Sequence, residues 1–296
     1  MALRANGHDL TALRAFTAEY PNGFDIGEGY VWDGSQFQKV FGDNPDYLYY
    51  PLYNRGGGLV GGCDVNGGSP IVVDSVQNYG YGICYHDGFF YVAVYNVPNV
   101  GIIKVNATTG EQTVLYAVQG KYNNIKYYSG FLYVTLANGD YGIIRVNILT
   151  GAMGVVVSAP GYYRGIAKIG AYFYVSIQHS IIKRFAPGTY VTLSSITTTS
   201  RNWYGICEHN GFLYGGTYLE GIVKVNVTTK KEVGHYLNDG VFIWTSVASK
   251  NGKLYAGTAY QSGGDYLYLI DEDANSKTRL MNSPSQYRFD LLGDLE

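Results

Sequence analysis

The stretch Ile83-Cys84-Tyr85-His86-Asp87-Gly88-Phe89-Phe90-Tyr91 returns along the chain, and its return decides the fold. Its last tyrosine recurs at Tyr133, Tyr174, Tyr214 and Tyr255, at gaps of 42, 41, 40 and 41 residues. Each copy closes a Gly-x-x-Tyr block such as Gly130-Phe131-Leu132-Tyr133, with Ala171 replacing the glycine in the third copy. Eight residues before each tyrosine stands a β-branched aliphatic: Ile83, Ile125, Ile166, Ile206 and Val247. A period near 40 built from strand-forming residues is the mark of a β-propeller, in which each repeat is one four-stranded blade. The expected fold class is all-β: a six-bladed β-propeller of four-stranded blades with short terminal extensions.

Within one repeat, Tyr81 to Tyr85 reads as the innermost strand, followed by a His86-Asp87-Gly88 turn and a second strand from Phe89 to Tyr95. Gly101 to Asn106 is the third strand, and the turn Thr108-Thr109-Gly110 leads to a fourth around Gln112 to Val118. The third strand is copied at Gly142 to Asn147 and Gly221 to Asn226, and its apolar doublet suits a sheet covered on both faces. Counting back from Tyr91 reaches Tyr49 or Tyr50, which adds a first blade with its innermost strand at Phe37 to Phe41; the last blade ends near Lys277 to Ser283. An open ring would leave two bare edges, so one terminus is expected to close it. Tyr30 to Ser35 is the candidate and Tyr287 to Leu292 the rival. The predicted division is 1–28 as an N-terminal docking segment, 29–283 as the propeller and 284–296 as a C-terminal extension.

Composition agrees with many short strands joined by tight turns: 40 Gly and 31 Tyr in 296 residues, with 15% charged. A net charge of -2, and no basic cluster longer than Lys230-Lys231, lacks the footprint of a nucleic-acid binder. No signal peptide or membrane span is read, because no apolar run is long enough. Of Cys63, Cys84 and Cys207, the last two occupy one blade position three units apart, so they are expected to stay reduced.

The third strand and its turn, Gly101 to Gly110 and Gly142 to Gly151, resemble the NHL and YncE-like six-bladed propeller superfamily over about Phe37 to Ser283. That resemblance implies architecture and leaves activity open, since the superfamily includes lactonases, lyases and binding modules. Asn6 to Leu10 followed by Tyr30 to Phe37 resembles the openings of bacteriophage minor tail and fibre proteins, which implies a virion setting.

Three residues ahead of the repeated aliphatic stand Gly80, Tyr122, Tyr163, Trp203 and Trp244, with Tyr79, Tyr81, Tyr162 and Tyr204 beside them. The pattern predicts an aromatic ring around one face, and Tyr81, Tyr122, Tyr163, Arg164, Trp203, Tyr204 and Trp244 are the candidate binding residues. Such rings offer an apolar face and a polar tip to a glycan or a protein; packing of blade on blade is the competing reading. A lactonase or lyase would need oxygen or His ligands converging from several blades. Asp140, Glu220 and Asp265 lie in loops with His179 nearby, but no acid or His recurs where the innermost strands begin, so no metal, cofactor or catalytic residue is assigned. His86 and His209 fall in corresponding turns and are expected to be solvated. Lys126 replaces the small residues Cys84, Ala167, Cys207 and Ala248 and is expected to face the channel or the ring interior. Asn106-Ala107-Thr108 and Asn226-Val227-Thr228 match the glycosylation acceptor pattern but read as turn residues.

The expected function is a non-enzymatic binding and assembly module, a multi-copy virion subunit of a phage tail or fibre. It would present a propeller face to a cell-surface glycan or to a protein, with no nucleic acid and no membrane. The alternative is a propeller enzyme of lactonase, lyase or glycosidase type acting on a small metabolite or saccharide. A third reading is a cytoplasmic interaction hub.

Overall fold

A computed structural model describes residues 80–282, apart from 108, 140, 188–192, 197–199, 239, 241 and 260–265, together with seven short strands before them. Those strands are β1 (Arg4–Ala5) paired with β2 (His8–Asp9), β3 (Tyr30–Trp32) paired with β4 (Phe37–Lys39), and a sheet of β5 (Tyr47–Pro51), β6 (Val60–Asp64) and β7 (Ile71–Val72). Five four-stranded antiparallel units follow. The first is β8 (Gly80–His86), β9 (Phe89–Val97), β10 (Val100–Asn106) and β11 (Gln112–Tyr116); the second is β12 (Tyr122–Tyr128), β13 (Phe131–Gly139), β14 (Ile143–Asn147) and β15 (Met153–Val157). The third is β16 (Gly161–Ile169), β17 (Tyr172–Ser180), β18 (Ile182–Phe185) and β19 (Ser194–Ser195), and the fourth β20 (Arg201–His209), β21 (Phe212–Thr217), β22 (Ile222–Asn226) and β23 (Lys231–Tyr236). The fifth is β24 (Ile243–Lys250), β25 (Lys253–Ala259), β26 (Tyr266–Asp271) and β27 (Ser276–Asn282).

The first hairpin of each unit turns in two residues. Asp87 and Gly88 both take positive φ, 47° and 79°, as do Asn210 and Gly211 at 50° and 80°. That geometry matches the right-handed twist of the strands it joins, which is why Asp-Gly and Asn-Gly recur there. At the far hairpin, the carboxamide of Asn106 accepts from the Thr109 N–H at 2.9 Å, and Asn226 accepts from Thr228 and Thr229. The acceptor-like Asn-x-Thr sequences therefore encode turns, as expected.

Both faces of the five four-stranded units carry buried apolar side chains. One carries Ile83, Phe90 and Val92 with their equivalents; the other carries Cys84, Tyr91 and Ile102, which pack onto Ile125, Leu132 and Val134 of the next unit. The repeated tyrosine thus belongs to the layer between units. Directly across from it on the third strand stands a cation, Lys104, Arg145, Arg184 or Lys224, lying 3.7 to 4.7 Å from the ring two residues earlier, Phe89, Phe131, Tyr172 or Phe212. In the fifth unit Lys253 takes the ring's place and Leu269 the cation's, so the pair is exchanged as a pair.

Neighbouring units are also stitched at one end. The end of each second strand pairs with the start of the next innermost strand, at Tyr95↔Lys121, Ala137↔Tyr162, Gln178↔Asn202 and Tyr218↔Ile243. The strand predicted at Phe37 to Phe41 is described as β4, and its partner is β3, not β5. The closing strand read at Tyr30 to Ser35 is correspondingly the other half of that hairpin among the described residues. The rival at Tyr287 to Leu292 lies outside the described residues. β5 packs beside β8 as β9 packs beside β12, which gives it the place of a second strand in a preceding unit.

Candidate functional site

The aromatic positions divide because every innermost strand carries a bulge. Register shifts fall between Tyr122 and Ile125, Tyr163 and Ile166, Trp203 and Ile206, and Trp244 and Ser246, so the extra residue sits just after each aromatic. Tyr122, Tyr163, Trp203 and Trp244 turn into the layer against the preceding unit and are buried, the two tryptophans at 0% exposure. Burial gives these four to blade packing, so the ring of exposed aromatics expected of them is not formed. Burial also pushes the Tyr122 and Tyr163 hydroxyls above their ordinary range. One residue later, Tyr81, Arg164 and Tyr204 are half-buried. A shift of one position moves a side chain to the opposite face of a strand, and the predicted site mixed the two registers.

Arg164 organises what remains accessible. Its Nε donates to Gln178 Oε1 at 2.9 Å, and its guanidinium lies 5.4 Å from the Tyr204 ring and 5.9 Å from the Tyr162 ring. Tyr162 stays 42% exposed. Tyr81 lies on the first unit and stacks on Tyr95 at 4.5 Å and 21°. The result is a planar cation between two aromatic faces, spanning the third and fourth units, with Tyr162 open to solvent. Gln178 escaped the sequence reading; its signal is that it precedes His179 at the end of a second strand, where the chain pairs across units.

Beneath this cluster the bulges are held by polar side chains. Thr135 Oγ1 accepts the Asn124 N–H at 3.0 Å and donates to the Arg164 carbonyl at 2.8 Å; Ser176 accepts from Gly165 N–H at 2.7 Å and donates to the Tyr204 carbonyl. Asn123 Nδ2 donates to the Tyr163 carbonyl at 2.6 Å. Buried hydroxyls and carboxamides thus fix the backbone from which Arg164 and Tyr204 project.

The opposite end carries a second polar group. His209 is buried, correcting the solvated turn expected for it; its Nδ1 is 2.8 Å from Ser249 Oγ and its Nε2 3.3 Å from Glu272 Oε2. Glu272 also accepts from Lys224 Nζ at 3.1 Å and from the Tyr214 hydroxyl. Burial alone would raise the Glu272 carboxyl, but the Tyr214 and Lys224 hydrogen bonds and the charges of Lys224 and His209 outweigh it and hold the carboxyl below its ordinary value. Ser, His and Glu stand in a row here as they do in hydrolases, yet both imidazole nitrogens are engaged inside the layer. Position by position it is the fourth unit's version of a repeated contact: His86 stacks on Tyr127 at 3.5 Å, and Lys168 lies 5.0 Å over Tyr128. His86 is likewise not a solvated turn residue.

Lys126 is half-buried and pairs across from Tyr133, in the register that faces the next unit, not an open channel. Among the described residues no group of three or more His, Cys, Asp and Glu is placed to hold a metal ion; Asp140 and Asp265 lie outside them. Glu220 forms an ion pair with Arg201, which also pairs with Glu232 at 2.9 Å. Neither Cys84 nor Cys207 is in a disulfide.

No protein-family model matches the chain, and no curated protein matches it. Solved structures do. A chain of the nidogen/laminin complex matches with TM-score 0.65 at 13% identity, over 83% of this chain and 96% of that one. A gluconolactonase from Xanthomonas campestris matches with TM-score 0.54 at 12% identity, over 75% and 86%. The chain is a β-propeller, as both of these are. Identities this low show fold alone.

Proposed function

We propose that this propeller is a non-enzymatic binding module whose contact surface is the end where the innermost strands begin, centred on Tyr162, Arg164 and Tyr204, and that its partner is a protein. The observation that carries this reading is the guanidinium held between two tyrosines with one ring exposed. Arg and Tyr are the side chains that anchor protein interfaces, and here both are pre-positioned by buried hydrogen bonds, which lowers the ordering cost of association. One structural neighbour is part of a protein complex, which is in keeping with this reading.

Replacing Tyr162 with a photo-crosslinking phenylalanine analogue in the native source tests it. A discrete protein adduct is expected at Tyr162 and none from the same probe at Leu149, which is 88% exposed in the third-to-fourth-strand turn of the second unit, at the opposite end. Equal labelling at both ends, or none at Tyr162, contradicts the surface.

The virion setting rests on the resemblance at Asn6 to Leu10 and Tyr30 to Phe37, to which neither structural neighbour adds. Deleting residues 1–28 is expected to leave a folded propeller that no longer enters its assembly; unchanged incorporation sinks that setting. The enzymatic reading has its own check in lactone hydrolysis by the purified chain, where any turnover, whether or not it survives Arg164→Ala, would overturn the non-enzymatic assignment.

A further inference from the structure

Beside the Tyr162 surface lies a pocket of about 420 Å³ between the first and second units. Its floor is Tyr122, whose hydroxyl donates to the Val118 carbonyl at 3.1 Å and whose ring meets Tyr116 edge-on at 6.2 Å. Its rim is Val118, Tyr141 and Met153, exposed at 50, 38 and 41%. Three half-exposed apolar side chains around one depression form a contiguous apolar patch, and such patches mark interaction sites. Lys121 is the one charged residue among the described lining. The pocket joins the Tyr162 surface directly, because Ala137 in its wall pairs with Tyr162 across the unit boundary.

We propose that this pocket receives one bulky apolar side chain of the partner polypeptide, accompanied by a carboxylate that pairs with Lys121. The inference rests on the protein-binding reading above and names the partner's chemistry. An open rim favours a side chain presented by a polypeptide, since pockets for free small molecules enclose most of the ligand. The rigid aromatic floor and flexible Met153 at the edge suit an anchor residue. Lys121 inside the pocket and Arg164 beyond Ala137 set the sign of the companion group.

The chain has three methionines, Met1, Met153 and Met281, so methyl-labelled methionine reports the pocket by NMR in the intact protein. The probes are N-acetyltryptophan, which carries a carboxylate, and its uncharged amide. N-acetyltryptophan is expected to shift the Met153 signal and leave Met281 unmoved, with the amide binding about fivefold more weakly. Lys121→Gln should bring the acid down to the amide's affinity, Lys121→Arg should keep the preference, and Tyr141→Ala should weaken both probes. A Met153 signal that stays still, or acid and amide of equal affinity, overturns the proposal. Because these probes need no partner, a Tyr162 adduct that forms while the titration fails removes the pocket alone, whereas loss of the adduct removes the surface.

Discussion

At the scale of single residues, burial and pairing set two pH responses of opposite sign. The Tyr91 hydroxyl is pushed up to about 12 by burial, with smaller contributions from Cys84 and Asp87. Its folded value lies above the unfolded one, so its contribution is whole below pH 10 and lost as pH rises toward 12. That amounts to about 2 to 3 kcal/mol. Alkaline titration followed by near-ultraviolet absorbance should show a late step of tyrosine ionisation that coincides with unfolding, and Tyr91→Phe should push that unfolding to higher pH. Glu272 works the other way. Its carboxyl is held below 4.5, so its stabilisation is present above that value and lost as pH falls through the lowered one. Glu272→Gln is expected to cost about 1 kcal/mol near neutrality and to flatten the fall of Tm on acidification; an unchanged acid profile would remove the Lys224–Glu272–His209 group from the stability account. None of this was legible in advance. His209 reads as a turn residue because its partners come from Ser249 and Glu272 on the neighbouring unit, 40 and 63 positions away in the chain.

At the scale of the element, the repeat was legible because each strand must cover two faces, and its turns because positive φ favours Gly, Asn and Asp, as at Asp87-Gly88 and Asn210-Gly211. What the sequence hid was the bulge. No residue type announces it, yet it carries Trp203 inward and leaves Tyr204 beside Arg164. A second signal was available and passed over: the glycine that opens the third strand. A Cβ on Gly142 would lie 2.4 Å from the Tyr163 ring of the next unit, and one on Gly101 would meet Tyr122 at 2.9 Å. At Gly101 and Gly142 the glycine and the aromatic of the following unit form one device, which marks Tyr122 and Tyr163 as packing residues. Gly142→Ala should therefore destabilise by about 1 to 3 kcal/mol through overpacking, measured by urea unfolding. Recovery in the Gly142→Ala, Tyr163→Phe double variant is not expected, because the clash is with ring carbons and not with the hydroxyl.

At the scale of the whole molecule, five units are described and β5 stands toward β8 as a second strand stands toward the next innermost strand. We expect six units in the closed ring, and an experimental structure with five or seven would refute that count. The central claim is that one aromatic repeat serves two ends, core at one register and contact surface at the next. Trp203 and Tyr204 are adjacent in sequence and fall on either side of that division. The most direct test is the unfolding free energy of Trp203→Ala beside that of Tyr204→Ala under one set of urea conditions. Trp203→Ala is expected to lose about 3 to 5 kcal/mol, the cost of emptying a buried indole site, while Tyr204→Ala stays within about 1 kcal/mol of the parent. Equal losses from the two variants would contradict the division and, with it, the placement of the contact surface.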